Sequence, residues 1–149
     1  MFSPQTEWTP PDELRDLSQA KEIAIDLETR DPNLTTRGSG SVRDDGEIVG
    51  IAVAVEGWSG YFPIAHEGGG NIDKRIVLDW FKDILKTPAT KIFHNAMYDV
   101  SWIRALGFKI EGLIVDTMIA GSLVNENRLR YNLNSLAKEY VGVGKNEKI

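Results

Sequence analysis

The sequence predicts a mixed α/β fold, a sheet with helices on its faces. Three segments with the two-residue alternation typical of strands follow one another within residues 23–64. After them, stretches with helical periodicity alternate with short apolar segments. Successive strands joined by short turns form an antiparallel meander, and strands separated by helices add to it in parallel. The predicted order is therefore β-β-β-α-β-α-β-α-α.

The composition fits one globular domain and excludes several classes of protein. The chain has 149 residues, of which 42% are hydrophobic and 26% are charged, and this balance is typical of a single domain. It has no cysteine, which excludes thiolate zinc sites and thiol catalysis. Its net charge is −5, without a block of Lys or Arg, so composition gives no sign of non-specific duplex binding. No apolar run approaches the roughly 20 residues of a membrane span, and we expect a soluble, cytoplasmic protein with no membrane partner.

The first half of the chain is predicted to hold one short helix and the three strands of the meander. Two prolines and two acids at residues 10–13 predict a short helix with an acidic first turn. Alternating large apolar residues predict a strand over residues 23–28. Residues 29–46 are polar and rich in glycine, which predicts a mobile loop. Strands are predicted again over residues 47–55 and 59–64, joined by a hairpin turn.

The second half is predicted to alternate helices with short strands. Its elements are helices over residues 72–86, 96–106, about 116–124 and about 133–140, with strands over residues 91–93 and 113–115. Asn71, Asn95 and Asp116 each precede a helix and are predicted as N-caps. A chain of alternating helices and strands places the later strands beside the meander, so the sheet is predicted to be mixed.

The segment IAIDLETR carries two acids within an apolar strand. Asp26 and Glu28 point to the same side of it, roughly 6.6 Å apart at their Cα atoms, and they share that side with Ala24. Carboxylates buried together repel each other unless a cation neutralises them. Oxygen ligands suit Mg²⁺ or Mn²⁺, and two such ions fit across a pair of this kind. The alternative is an edge strand with one wetted face, on which both acids are simply solvated.

A third acid is predicted at the start of a helix, in the segment HNAMYDVSWI. If Asn95 caps this helix, Asp99 lies one turn later on the same side and Tyr98 lies beside it. The helix dipole favours a carboxylate in the first turn and keeps it ionised. The alternative is an ordinary capped helix with Asp99 on its solvated flank.

Three other polar residues have ordinary interpretations beside functional ones. Asp116 is typical of an N-cap, and its alternative role is in supporting nearby metal ligands. His66 follows a strand in a glycine-rich segment, which indicates a surface or loop-packing residue. His94 precedes Asn95 and is a candidate general base, although a histidine at a strand end has several structural uses.

Taken in order, these segments resemble those of a known enzyme family. IAIDLET resembles the D-x-E motif, and HNAMYD the N-x-x-x-D motif, of the DnaQ-like DEDD 3′-5′ exonucleases, which have a ribonuclease H-like fold. EIVGIAVAV, GYFPIAH, VDTMIAGSLVN and NLNSLAKEYVG are similar to the proofreading exonuclease domain of family A (polymerase I type) DNA polymerases. The resemblance covers residues 22 to about 142, nearly the whole chain.

The resemblance implies a function and a set of site residues. It implies metal-dependent removal of nucleotides from a single-stranded or frayed DNA 3′ end, in a bacterial or phage-infected cell, by a domain fused to or working with a DNA polymerase. Two Mg²⁺ or Mn²⁺ ions are implied as cofactors. The implied catalytic and metal-binding residues are Asp26, Glu28 and Asp99, the implied substrate-binding residues are Thr29, Asn95 and Tyr98, and Asp116 is placed in the surrounding shell.

One departure from the family pattern limits this expectation. The family's third motif, Y-x-x-x-D or H-x-x-x-D, supplies a fourth carboxylate and the group that activates water, yet no aspartate follows Asp116. We therefore expect residues 1–149 to form one exonuclease domain that is incomplete at its C-terminal end, with weak or no hydrolysis. Two alternatives stay open: an inactive ribonuclease H-like module that binds DNA ends or a polymerase, and a ribonuclease D-like enzyme that acts on RNA.

Overall fold

The computed structural model describes residues 9–144 and contains a mixed sheet of five strands. The strands are β1 Glu22–Arg30, β2 Glu47–Val55, β3 Trp58–Pro63, β4 Thr90–Phe93 and β5 Ile114–Asp116, in the spatial order β3-β2-β1-β4-β5. β1, β2 and β3 pair antiparallel, whereas β4 pairs parallel to β1 and β5 pairs parallel to β4. The predicted meander with added parallel strands is confirmed.

Six helices lie within the described residues. They are α1 Leu34–Arg37, α2 Gly40–Arg43, α3 Lys74–Lys86, α4 Ala96–Ala105, α5 Thr117–Val124 and α6 Leu133–Tyr140. The last four were predicted to within about two residues at each end. None of the helices in residues 9–144 is both long and apolar enough to cross a membrane.

The short helix predicted after residues 10–13 is wrong in the described part, residues 9–21, where no helix forms. The Asp16 carboxylate instead accepts a hydrogen bond from the Ser18 amide at 2.9 Å, a local bond that competes with helix formation. The Arg15 carbonyl accepts from the Trp80 indole of α3 at 2.8 Å, and Leu17 is buried in the core. Contacts with α3 therefore hold this segment in a non-helical path.

The prediction of a mobile loop over residues 29–46 is also wrong, because β1 continues to Arg30 and α1 and α2 follow it. Its polar side chains bond to its own backbone. The Arg43 guanidinium donates to the carbonyls of residues 37 and 38 at 2.6 Å each. The Asp31 carboxylate accepts from the Gly40 amide at 3.0 Å. Composition alone does not distinguish such internal bonding from solvation.

The sheet has one apolar face, and α3 covers it. Ile23, Ile25 and Leu27 of β1 are buried there. The same core contains Ile51, Val53, Phe62, Val77, Phe81 and Leu85 from β2, β3 and α3. The rings of Phe62 and Trp80 lie 4.6 Å apart between their centroids, so α3 lies directly against β3. Since α5 and α6 contribute to a groove on the opposite face, helices flank both faces as predicted.

The N-cap of α3 is Asp73 rather than the predicted Asn71. The Asp73 side chain accepts from the amides of Arg75 and Ile76 at 2.9 and 3.2 Å. Asn71 instead exchanges two hydrogen bonds with the backbone of His66. Both residue types suit an N-cap, and the bonds to His66 remove Asn71 from that role.

Candidate active site

Asp26 and Glu28 lie on the face of the sheet that α3 does not cover. β1 is the central strand, so the edge-strand alternative is wrong. Both carboxylates are nevertheless exposed, so the expectation that they are buried is wrong as well. The reason is the register, which sets Ala52 opposite Asp26 and Gly50 opposite Glu28. These neighbours are too small to cover the acids.

The third predicted acid, Asp99, is buried in the first turn of α4, with 3% of its surface exposed. Its alternative position on a solvated flank is therefore wrong. Burial, together with the charge of Asp26, raises the pKa of Asp99 to about 7, against a lowering by a hydrogen bond from the Leu27 backbone. Leu27 separates Asp26 from Glu28 along β1, so Asp99 reaches the strand between the two exposed acids.

The pairing of β1 with β4 explains how α4 comes so close. β4 pairs with β1 only over residues 22–24. Beyond that point the β4 side of β1 has no strand partner, and Asp99 bonds to the Leu27 backbone in that stretch. The carboxylate thus takes part of the place of a missing strand. Asp99 of α4 reaches the backbone of β1 because β4 no longer pairs with β1 at this point.

Asn95 occupies the N-cap position of α4 as predicted, but the carboxylate that accepts from the first amides belongs to Asp116. Asn95 has φ 65° and ψ 56° and makes no capping hydrogen bond with its side chain. The Asp116 carboxylate accepts from the amides of Asn95 at 3.1 Å, Ala96 at 2.8 Å and Met118 at 2.9 Å. Burial acts to raise the pKa of Asp116, but these backbone amides hold it below its usual value. Asp116 therefore accepts hydrogen bonds from amides at the starts of both α4 and α5. These bonds fix the start of α4, and Asp99 lies in the first turn of that helix.

Of the predicted substrate-binding residues, Thr29 and Tyr98 are in contact and Asn95 is separate. The hydroxyl oxygens of Thr29 and Tyr98 lie 2.7 Å apart. The Tyr98 hydroxyl also donates to Asp31 at 3.2 Å. Asn95 is exposed at the start of α4. The sequence analysis missed Asp31, whose only signal was its position three residues after Glu28.

Tyr61 is a second polar residue that sequence reasoning missed. Burial, together with the charges of Glu28 and Asp26, raises the pKa of Tyr61 to about 12. A Cβ added at Gly50 would stand 2.0 Å from the Tyr61 hydroxyl oxygen, so the tyrosine lies across the glycine opposite Glu28. The His66 ring bonds to the same hydroxyl. His66 therefore packs in its loop as predicted, but beside the acids.

A groove of about 680 Å³ runs along the acid-bearing face. Its lining includes Ala24, Asp26, Ala52, Tyr61, His94 and Thr117. The Thr117 hydroxyl donates to the Phe93 carbonyl at 3.1 Å and lies 2.9 Å from His94 Nδ1. Since that hydroxyl has only one hydrogen, Nδ1 carries the imidazole proton and donates it to Thr117. The enclosed Nε2 has no partner among residues 9–144.

The donor groups suit a divalent cation, although they do not form a closed cage. Within residues 9–144, no three Asp, Glu or His side chains converge closely enough to hold a metal ion. The charges of Asp26 and Glu28 still act on both Asp99 and Tyr61, raising the pKa of each. A cation bound by these carboxylates would remove that repulsion, and all the donors are the hard oxygens that Mg²⁺ and Mn²⁺ prefer. The residues therefore fit such an ion at an open site.

Comparison with known proteins places this geometry in context. The sequence profile of a 3′-5′ exonuclease family, the first exonuclease domain of A-type DNA polymerases, matches residues 2–149. A DNA-directed DNA polymerase of Pseudomonas phage M6 is 35% identical, and the match covers 95% of this chain and 22% of that protein. DNA polymerase I of Pseudomonas aeruginosa is 29% identical, over 87% of this chain and 14% of that protein. The chain thus spans about a fifth or less of these relatives.

A solved structure shares the fold. NrnC of Brucella melitensis with bound Mg²⁺ superposes with a TM-score of 0.64 at 23% sequence identity, over 95% of this chain and 63% of that one. At this identity the likeness concerns the fold, and it agrees with a ribonuclease H-like arrangement of the mixed sheet.

Proposed function

We propose a function on the premise that this chain belongs to the 3′-5′ exonuclease family of A-type DNA polymerases. The reaction of the family is hydrolysis of phosphodiester bonds, and we assign it here to the acid-bearing face of β1. The observation that carries the assignment is the position of Asp99, which is buried against the backbone of Leu27 between the two exposed acids. A purely structural strand has no need of a buried carboxylate placed against its backbone between two exposed ones.

The three acids divide between two elements. Asp26 and Glu28 would hold divalent cations from the open face of β1, and Asp99 would hold them from the start of α4. Divalent ions, when bound, supply the positive charge that activates water and stabilises a leaving oxygen. Asp116 keeps α4 in place by accepting hydrogen bonds from its first amides. Two ions, Mg²⁺ or Mn²⁺, are part of this proposal.

The proposed substrate is the 3′ end of a single DNA strand, freed or frayed from a duplex. The net charge of −5 does not favour binding to an intact duplex. Tyr98 and Thr29 would position the terminal nucleotide, and Asn95 would contribute from its exposed position at the start of α4. An aromatic contact with a base tolerates any sequence, as removal of arbitrary 3′ nucleotides requires.

The proposed role is proofreading within or beside a DNA polymerase. The matched relatives are DNA polymerases in which the similar region is a small part. No aspartate follows Asp116, so we propose that this chain supplies three of the four carboxylates of the family's motifs. Slow hydrolysis by the 149-residue chain is the corresponding expectation.

The test is mononucleotide release from a single-stranded oligodeoxynucleotide labelled at its 5′ end. With Mn²⁺ or Mg²⁺ we expect slow, stepwise shortening from the 3′ end, which stops on addition of a chelator and in Asp26→Ala. The matched control is Asp79→Ala, which removes the same charge from an exposed position on α3, across the sheet.

Each other outcome contradicts a stated part of the proposal. Binding of the strand without any release, unchanged in Asp26→Ala, contradicts the enzyme and supports a binding module. Faster release from an RNA strand of the same sequence contradicts the choice of DNA. Release that persists without metal contradicts the assignment of the acids.

A further inference from the structure

A chain of three polar side chains runs alongside the acids and ends at Thr29. The Tyr98 hydroxyl lies 2.7 Å from the Thr29 hydroxyl and donates to Asp31 Oδ2 at 3.2 Å. All three side chains are partly buried at these contacts. The proposed function assigns Thr29 and Tyr98 to the substrate but gives no role to Asp31.

The chemistry of the three groups fixes the direction of this chain. An ionised carboxylate offers only acceptor oxygens, so the single hydroxyl hydrogen of Tyr98 is used in the bond to Asp31. The contact between the two hydroxyls then requires Thr29 to be the donor and the Tyr98 oxygen the acceptor. The hydrogen of Thr29 is therefore committed, and its oxygen can only accept a hydrogen bond from any further group.

We propose that Asp31 is a positioning residue that keeps the Thr29 hydroxyl in this acceptor state. The proposal rests on the proposed function, and it adds a specificity for the substrate end. A group that binds Thr29 Oγ1 must be a donor, and the donor that a 3′ terminus offers is the hydroxyl of its last sugar. Asp31 thus favours strands that end in a free 3′-hydroxyl over those that lack it.

The surroundings of Asp31 hold it for this task. Its Oδ2 also accepts from the Gly40 amide at 3.0 Å, which ties it to the start of α2. α2 is tied in turn to α4, because the Ser41 and Ser101 hydroxyls lie 2.8 Å apart. The backbone of α2 therefore orients the carboxylate from one side while Tyr98 approaches from the other.

The second oxygen of Asp31 argues against a purely structural role. Oδ1 is enclosed and has no hydrogen-bond partner among residues 9–144. An enclosed carboxylate oxygen without a partner costs stability. The bonds from the Gly40 amide and from the Tyr98 hydroxyl both go to Oδ2, so anchoring α2 does not account for the enclosed Oδ1.

The experiment measures the affinity of the 149-residue chain for two labelled single-stranded oligodeoxynucleotides with Mg²⁺ present, before measurable cleavage. The two strands are identical except that one ends in a 3′-hydroxyl and the other in a 3′-hydrogen. We expect the wild type to bind the hydroxyl end about three- to tenfold more tightly, which corresponds to one hydrogen bond. In Asp31→Ala and Tyr98→Phe this preference falls to about one.

Two variants separate the proposal from a general loss of structure. Asp31→Asn keeps the preference, because the Gly40 amide can only donate and so draws the amide oxygen of asparagine into the place of Oδ2. Ser41→Ala breaks the other link between α2 and α4 without touching the three-residue chain, and it also keeps the preference. Equal thermal midpoints for Asp31→Asn and the wild type accompany this result.

The contradicting results are distinct from those that bear on the proposed function. A preference that survives in both Asp31→Ala and Tyr98→Phe, or is missing in a wild type that binds both strands, overturns the role of Asp31 and leaves the exonuclease proposal standing. A wild type that binds neither strand overturns the proposed function and this role with it. If Asp31→Ala does not fold, Tyr98→Phe gives the same decision.

Discussion

The two sides of β1 are opposite in character, although they belong to the same nine residues. On one side, Ile23, Ile25 and Leu27 are buried under α3. On the other, Asp26 and Glu28 stand exposed over alanine and glycine. The first side exchanges water for apolar contact, which stabilises the fold. The second keeps two negative charges together on a face that α3 does not cover.

Stability and the proposed chemistry can therefore be changed separately along one strand. Substitutions on the apolar side should lower the free energy of unfolding and leave cation binding intact in the folded fraction. Substitutions on the acid side should weaken cation binding and leave the free energy of unfolding nearly unchanged, because removing mutual repulsion does not harm the fold.

The largest effect is expected from Glu28→Gln on the acid side. Hydrolysis should fall at least about a hundredfold, because a ligand of the proposed cations loses its charge. The free energy of unfolding should stay within about 0.5 kcal/mol of the wild type, as for other exposed substitutions. Rates of nucleotide release and urea denaturation check the two parts.

Glu22→Gln is the matched control, since Glu22 is an exposed acid on the same strand and side. It lies where β4 pairs with β1, away from Asp99. Equal loss of activity in Glu28→Gln and Glu22→Gln would show that negative charge anywhere on this side of β1 supports activity. That result would contradict a specific role for Glu28.

On the apolar side, Ile25→Ala should lower the free energy of unfolding by about 2–4 kcal/mol, because it leaves a cavity in a buried cluster. Val42→Ala, at an exposed position of α2, should change it by less than about 0.5 kcal/mol. Chemical denaturation measures both. A cost for Ile25→Ala no greater than that for Val42→Ala would contradict the view that this side carries the fold.

Asp99 of α4 contacts the backbone of β1, and its contribution to the free energy of unfolding should depend on pH. Its pKa is about 7 in the folded chain, against an ordinary value of 3.8, so between these values the folded state holds a proton that the unfolded state has released. Ionisation of Asp99 therefore makes the free energy of unfolding fall as pH rises from about 4 to about 7. Above pH 7 its contribution is constant. Asp99→Asn removes this loss and should be more stable than the wild type by about 1–3 kcal/mol at pH 8.

Thermal or urea unfolding across pH 4–8 checks this prediction. The stability difference between Asp99→Asn and the wild type should grow with pH and level off near pH 8. A difference that is constant with pH, or that shrinks as pH rises, would refute the assigned repulsion.

The smallest effect is expected from Gly50→Ala, which pushes the Tyr61 ring away from Glu28. The added Cβ would stand 2.0 Å from the tyrosine hydroxyl, and we expect a cost of about 1 kcal/mol, since the ring can shift towards the groove. Gly68→Ala is the control, because nothing lies within 4 Å of its added Cβ. Tyrosine fluorescence quenching together with denaturation distinguishes a moved ring from a general loss of structure.

Much of the fold could be predicted because its signals are local. The alternation in residues 23–28 defines β1 and the shared side of its two acids, and the helical stripes define α3 and α4. The burial of Lys91 is a feature that such local signals do not predict. Within β4 this lysine is fully buried, and its ammonium donates to the carbonyls of residues 87, 89 and 111. The alternation of apolar residues in β4 does not predict these acceptors, because they lie on two separate segments of the chain.

The parts of the site that sequence could not give depend on distant contacts. Asp116 lies 21 residues from the amide of Asn95 that it caps, so a local cap rule assigned Asn95 instead. Asp99 is buried because β4 stops pairing with β1 after residue 24, which no short motif encodes. Asp31 joins Tyr98 across 67 positions. The type and spacing of residues predicted the acids, and only the fold reveals which of them interact.

Direct measurement of Mn²⁺ binding tests the central claim, that the acid side of β1 is a cation site. Titration of the 149-residue chain at pH 8, followed by electron paramagnetic resonance of free Mn²⁺, should give saturable binding in the wild type. Asp26→Asn should weaken it at least about tenfold while Asp79→Asn leaves it unchanged, because only the former removes a donor from the strand. Equal Mn²⁺ affinity in the wild type and Asp26→Asn, or no binding in either, would contradict the account.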